Sequence, residues 1–583
     1  MDMYLTRRQT LTCALIYAAS LSGCCLIRPS PRPMCPTSPE VSYPNGPLTI
    51  DAHCHVFNGT DLQVADFISK VAIHQKGIFG VGAKALGGLL KEIAWGVAPS
   101  GEAELHELVR VNQELVLCQT TQVSERIVRM YRDSRDKAAK ELNASLDRAL
   151  AKKSISLNAL DIGPEQEIQN AAIPLIRGLT ATDGIGINVQ NFSTMTQAQK
   201  TAAGMLAFIS QHLQYRYVSV HNYLDTYNQP SKRVIDLMTP SMVDYDGWLT
   251  NKGVIRTITP LNTQVQVMEQ ISILTSGRVH AFVPFNPLKQ VAYDLRFTSE
   301  DSLGLVKEAI LSHGCIGVKL YPPMGFAALG NSDLHGGNGK SFWDRPWLPE
   351  ITSRSDFGSR LDEAMSQLFS WCEKEQVPVM AHTSISNGVS MDFQRLAGAQ
   401  YWAKALATFK HLRVSFGHFG GASDESGAVS GAGFANLMQP TANAAGEFAY
   451  ADSGYFAEVL TDEPQLLETL KKLYDATASK GSAALANRFM YGTDWEMTLA
   501  QGKIDTYLSD FERLMQELES RPAIKHAGLG GLANKFFGQN AADWIGLHKG
   551  GSARKRLDKF YAGNGMGLPD WAKKVDGLVS NQE

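Results

Sequence analysis

The sequence contains no CxxC pair, no GxSxG and, after its first apolar run, no GxGxxG. Its eight cysteines, at 13, 24, 25, 35, 54, 118, 315 and 372, follow no regular spacing, so neither a zinc knuckle nor a disulfide framework is encoded. No cysteine stands at a strand-to-helix turn beside a histidine, and with GxSxG missing too, serine and cysteine nucleophile chemistry falls away. Charged residues make up only 19% of the chain and its net charge is -3, which removes nucleic acid as a partner class. No internal repeat is present.

What remains is a chain of 583 residues with 44% apolar content, enough for one large core. Eight apolar runs of strand length recur, at 48–56, 233–239, 278–285, 315–321, 377–383, 412–418, 454–461 and 488–494. Near-continuous apolar strands imply burial on both faces, as in a parallel sheet. Amphipathic stretches separate them, such as 299–314, with a Ser cap, an acidic first turn and a closing Gly; 359–376 and 463–480 read the same way. Eight strands alternating with helices predict an α/β fold of the (β/α)8 barrel type over 48–545, with 546–583 as a C-terminal extension. About 175 residues separate the first two strands, far more than one crossover needs, so 60–231 is expected to be a large, mostly helical insertion. Within it, the glycine-rich 76–100 reads as a buried helix pair, with a segment lying on a membrane or capping a substrate pocket as the alternatives.

The first residues read as an export signal over 1–23: Arg7 and Arg8, an apolar stretch from about Leu11 to Leu21, then small residues. "Leu21-Ser22-Gly23-Cys24" resembles the lipobox of bacterial lipoproteins, which implies lipidation of Cys24. "Thr6-Arg7-Arg8-Gln9-Thr10-Leu11" is similar to a twin-arginine signal. Residues 24–47, rich in Pro and Ser, read as a tether. The expected location is therefore outside the cytoplasm, anchored to a membrane through Cys24. With Cys25 rather than Asp next to the anchor, that is the periplasmic face of the outer membrane in a Gram-negative source.

Histidines gather where a barrel carries its chemistry, at the carboxyl ends of strands. The first run ends in "DAHCHV" with His53 and His55, the fifth in "VMAHTS" with His382, the sixth in "VSFGHFGG" with His418 and the eighth in "FMYGTDW" with Asp494. The fourth carries Lys319 in "GVKLYPP". His53 and His55, two apart on a strand, reach one side while Cys54 turns away into packing.

This ordered set resembles the amidohydrolase superfamily of metal-dependent hydrolases, in its amidohydrolase-related branch, over residues 48 to about 500. The closing "GLGGLANKFFGQNAADWIGL" is similar to that branch's last helix. The resemblance implies a divalent metal held by His53, His55, His382 and Asp494, one Zn2+ or alternatively Mn2+, acting on a water. Asp494 and His418 would be the catalytic groups; Asp494 also reads as a helix N-cap.

Lys319 decides the metal count: carboxylated, it bridges two ions and His418 becomes a ligand; free, it receives a substrate carboxylate. Tyr321, Trp495 and Glu496 are expected near the mouth, His221, Tyr223 and Tyr227 in an aromatic segment folded over it, and the loop 325–347 as a lid. The implied partner is a small amide, ester or carboxylated molecule, hydrolysed or, on the same metal site, decarboxylated or hydrated. A binding lipoprotein on a retired scaffold is the reading from another class.

Overall fold

The computed structural model describes residues 46–579 apart from 75–76, 118–119, 156–162, 180–194, 228–232, 250–256, 337–340, 344–348, 387, 389, 423–428, 440–445 and 502–503. The export signal, Cys24 and all but the last two residues of the tether lie outside the described residues.

Eight short parallel strands follow one another through the chain: β1 (Ile50–Cys54), β2 (Leu237–Pro240), β3 (Phe282–Pro284), β4 (Gly317–Leu320), β5 (Val379–His382), β6 (Val414–Gly417), β7 (Ala449–Asp452) and β8 (Phe489–Met490). They form a two-stranded sheet, β1-β2, and a six-stranded sheet in sequential order from β3 to β8. Hydrogen bonds cross both gaps. Bridges pair Met238 with Val279 and Ser241 with Phe282, and Ala52 N donates to the Tyr491 carbonyl at 3.0 Å while Asp494 N donates to that of His53 at 2.7 Å. Almost every strand residue is buried, as strands covered on both faces require.

Seven of the eight strands fall within the runs read from the sequence, extended at β2 by Pro240. The seventh does not. The run 454–461 was expected as a strand, but β7 ends at Asp452, and Glu458–Thr461 is a helical turn. Tyr455 takes a left-handed φ of 55°, which an extended chain does not tolerate, and Phe456 and Val459 turn inward. A smaller difference concerns the 299–314 helix, which begins at Ser302 under an Asp301 cap, its side chain accepting from Gly304 N at 2.8 Å.

Between β1 and β2 the described chain is helical, including Gly101–Val116, Thr120–Ala151, Pro164–Arg177, Gln197–His212 and Arg216–Tyr227. The glycine-rich stretch forms two helices, Gly77–Ala85 and Gly87–Glu92. Ala83, Leu86, Leu89 and Leu90 there are buried, in keeping with the buried helix pair. Among the described residues no helix is long and apolar enough to cross a membrane.

The C-terminal residues cover the amino ends of the strands. Ile50, Leu237, Phe282, Ile316, Met380 and Met490 pack against Trp544 and its neighbours, with the Phe282 and Trp544 rings stacked at 5.4 Å. Trp571 Nε1 donates to the Gly277 carbonyl at 2.8 Å and Lys574 pairs with Asp236 at 2.7 Å. That end is sealed, which leaves the carboxyl ends for chemistry.

His280 is locked into the same seal. Its Nδ1 lies 2.8 Å from the Gly314 carbonyl and its Nε2 2.6 Å from Tyr561 Oη, so Nδ1–H donates and Nε2 accepts the phenol proton. Burial lowers its pKa to about 4. The unfolded chain binds a proton near pH 6.5 that the folded chain refuses, so this contribution is whole above that pH and is lost as pH falls through 4. Its size is about 3 kcal/mol from the 1.36 kcal/mol that each pKa unit represents. We expect His280→Gln to flatten the decline of urea-unfolding free energy between pH 6.5 and 4 by about that amount; an unchanged slope would remove His280 as its source.

Candidate metal centre

The site is set by an irregularity at the end of β1. The register with β2 shifts between Asp51 and Cys54, and Asp51 Oδ1 accepts from His53 N at 3.1 Å. Asp51 Oδ2 then accepts hydrogen bonds from Tyr223 Oη at 2.7 Å and Thr493 Oγ1 at 2.5 Å. Burial pushes its carboxyl up to about 7, against the pull of those hydrogen bonds. Cys54 is a buried free thiol on the packing side, and burial pushes its pKa well up.

Both histidines of the pair are oriented by acceptors. His53 Nδ1 lies 2.8 Å from Asp452 Oδ1 and His55 Nδ1 lies 2.8 Å from the Ser241 carbonyl. Each Nδ1–H therefore donates outward and each Nε2 keeps its lone pair, the tautomer a metal ligand needs. His55 Nε2 faces Asp494 Oδ1 at 3.2 Å. One donor atom from each of His53, His55 and Asp494 falls within 4.8 Å of the others, all three residues buried.

This donor set fits a divalent cation. Asp494 Oδ1 is buried with no hydrogen-bond partner among the described residues, because the imidazole nitrogen opposite it is itself an acceptor. Two lone pairs facing each other out of water are costly unless a cation lies between them. Burial lowers the His53 pKa and so favours the neutral ring, despite the opposing Asp452 charge.

The backbone is strained here. His418, Phe419, Asp494 and Glu496 all have positive φ, at 65°, 42°, 51° and 76°, and non-glycine residues in that region cluster at functional sites. As for the N-cap reading of Asp494, the turn that follows bonds to its carbonyl, from Met497 N at 3.1 Å and Thr498 N at 3.2 Å.

The other expected residues divide. Lys319 lies within β4, 2% exposed, with Nζ 2.9 Å from His53 Nε2. Burial lowers its pKa to about 8, with Asp452 and Asp494 pulling the other way. His382 does not join the group of three. Its Nδ1 lies 2.9 Å from His418 Nε2 and its Nε2 3.1 Å from Ser384 Oγ, while His418 Nδ1 donates to the Gly454 carbonyl at 2.8 Å. Both rings are neutral, burial lowering His382 far below its ordinary value and His418 to about 3.

Tyr321 stacks on His382 at 4.2 Å and meets Ser386 Oγ at 2.8 Å. It shares a pocket with Tyr245, Trp248, Phe285, Phe326 and Lys319. Trp495, by contrast, is 1% exposed and packs edge-on to Tyr223 and Tyr227, with Nε1 donating to Ser219 Oγ at 3.3 Å. Glu496 is turned the same way, accepting from Ser219 Oγ and from Phe57 N. Of the lid segment, Phe326, Ala327, Ala328 and Asn331 are packed down.

Asp452 was not among the sequence candidates. It receives His53 Nδ1, Ser415 Oγ at 2.9 Å and the backbone N–H groups of His418 and Gly454, both at 3.1 Å. Burial alone would raise its carboxyl, but His53 and the other donors bring it to about 2. A correctly placed seventh strand would have put an aspartate at its carboxyl end, in line with Asp494.

No protein-family model and no curated protein matches this chain. Solved structures do align with it. A 2,6-dihydroxybenzoate decarboxylase from Rhizobium is 12% identical, with 58% of this chain and 90% of that one covered and a TM-score of 0.33. A structure described as amidohydrolase II is 10% identical over 57% and 89%, with a TM-score of 0.31. An uncharacterised TIM-barrel protein from Bordetella bronchiseptica is 13% identical over 55% and 82%, with a TM-score of 0.29.

Asp452→Asn keeps the size of the group but takes the negative charge from behind His53. We expect zinc affinity, read by competition with a chromophoric chelator, to fall about 10- to 100-fold. An unchanged affinity would mean that Asp452 does not tune this imidazole.

Proposed function

We propose that the chain is a metal-dependent hydrolase of the amidohydrolase-related kind on a closed barrel with 60–231 inserted after β1, a closure supported by the bridges from β2 to β3 and the backbone hydrogen bonds between β1 and the residues that follow β8. The observation that carries this reading is the convergence of His53, His55 and Asp494, with each imidazole held at Nδ1 from behind and Asp494 Oδ1 buried without a hydrogen-bond partner among the described residues. A divalent cation bound there, zinc or manganese, supplies a Lewis acid that brings the pKa of a water toward ~7. His382 is the proposed further nitrogen donor.

The chain's own groups do the rest. Asp494 takes the proton from the attacking water and returns it to the leaving group. His418, its Nδ1–H committed to the Gly454 carbonyl and its Nε2 accepting from His382 Nδ1, is the proposed proton shuttle. Lys319 receives a carboxylate, and the Tyr245, Trp248 and Tyr321 walls keep water from the bound molecule. The substrate class is a small carboxylated amide or ester. Decarboxylation of such an acid is the second reading, favoured by a buried cation set in an apolar wall, where it holds a carboxylate firmly. Export and anchoring through Cys24 belong to the proposal on the residue pattern alone.

Elemental mass spectrometry on protein purified without chelator tests this, on wild type and on the His53→Ala/His55→Ala variant. One equivalent of metal, lost in the variant, assigns Lys319 to substrate, and two make it a carboxylated bridge with His418 as a ligand. None would overturn the reading in favour of a binding protein on a retired scaffold.

A further inference from the structure

We propose that Gly417, Gly454 and Gly492 are positioning residues that form a socket for the His53 imidazole and, with Asp452, aim its Nε2 at the cation site. The proposal rests on the reading of His53 as a ligand. Gly417 ends β6, Gly454 lies two residues beyond β7, and Gly492 two beyond β8. A Cβ on Gly417 would stand 2.9 Å from His53 Cε1, one on Gly454 2.6 Å from Nδ1 and 3.0 Å from Cγ, and one on Gly492 2.8 Å from Cβ. Side chains do not approach so closely, so Gly417 or Gly454 with a Cβ would push the ring aside and Gly492 with one would push on the His53 Cβ that carries it.

Backbone conformation does not explain these glycines. None of the three is among the positive-φ residues, so an L-residue could adopt their dihedrals. What they share is the His53 side chain. Three successive strand ends withhold a side chain from it, Gly417 and Gly454 at the ring and Gly492 at its Cβ, while Asp452 takes its Nδ1 at 2.8 Å and Lys319 from β4 meets its Nε2 at 2.9 Å. The socket fixes ring plane and tautomer before a ligand arrives, so little order is left to impose on binding.

Gly454 isolates the effect. A Cβ on Gly417 would also meet the Ala381 carbonyl at 2.7 Å, and one on Gly492 would meet Gly454 N at 3.2 Å, whereas the nearest atoms to one on Gly454 belong to the His53 ring and to Asp452 Oδ1 at 3.1 Å. The full chain is compared as wild type, Gly454→Ala, His53→Ala and the double variant. Zinc affinity is read by chelator competition, and the urea midpoint is measured in EDTA.

We expect Gly454→Ala to weaken zinc binding about 10- to 100-fold and to lower the metal-free midpoint, and to leave the midpoint unshifted in the His53→Ala background, where the ring is gone. If Gly454→Ala alone does not fold, recovery in the double variant supports the socket equally. The same midpoint loss in both backgrounds would overturn it, as would no loss in either. A wild type that binds no zinc would sink the functional reading and the aiming role together, while the midpoint comparison would still decide the socket.

Discussion

The buried bond between His53 Nδ1 and Asp452 Oδ1 holds the rest of the site in place. Both side chains are 0% exposed, and a carboxylate taken out of water costs several kcal/mol unless its oxygens are filled. Asp452 is filled from three places: by His53 on β1, by Ser415 on β6 with the His418 backbone just beyond, and by Gly454 N past its own strand. Each donor fixes a strand end. Once His53 is held from behind, its Nε2 has one direction left, and His55 and Asp494 are brought to the same place by hydrogen bonds of the neighbouring backbone.

A second buried charge system supports the first from outside the strands. Arg216, 1% exposed, donates from Nε to Asp61 Oδ2 and from Nη1 to Glu104 Oε2, both at 2.7 Å. It therefore ties the Arg216–Tyr227 helix to the segment that follows His55 and to the Gly101–Val116 helix. Further along the same helix Ser219 reaches Glu496 and Tyr223 reaches Asp51. One helix thus braces the ends of β1 and β8, the strands that carry the three converging donors. Removing one partner of such a network leaves an uncompensated buried charge, so the helical segment and the donor geometry stand or fall together.

How much of this was legible in the sequence follows from what each residue type can signal. Histidines at strand ends stand out because few residues of that kind occur in apolar runs, and His53, His55, His382 and His418 all lie where the pattern put them. Lys319 was legible in position but not in burial, since a strand residue's neighbours across the sheet are not visible along the chain. Asp452 was lost with its strand: "AYAD" is four residues long, and the adjacent "GYFAEVLT" holds more β-forming side chains yet turns at Tyr455 and becomes helical. Trp495 follows a strand end as expected, but the sequence says nothing of the helix waiting to cover it. The pairing of His382 with His418 depends on ring orientation, which spacing does not encode.

The long helical segment between β1 and β2 bears on what kind of protein this is. Its length alone suits an interaction module, whose working surface would face outward. The side chains that matter here face inward instead: Tyr223 and Tyr227 are buried against Trp495, and Arg216, Ser219 and Glu104 spend their polar atoms on groups of the same chain. A segment evolved only to bind partners has no physical need to place a guanidinium between two carboxylates beneath the loop that leaves His55. Nor does a retired scaffold need Asp494 Oδ1 buried without a hydrogen-bond partner among the described residues, a penalty of about 1–3 kcal/mol that any apolar replacement would remove. Both features make sense if the geometry of the three donors is what the fold maintains.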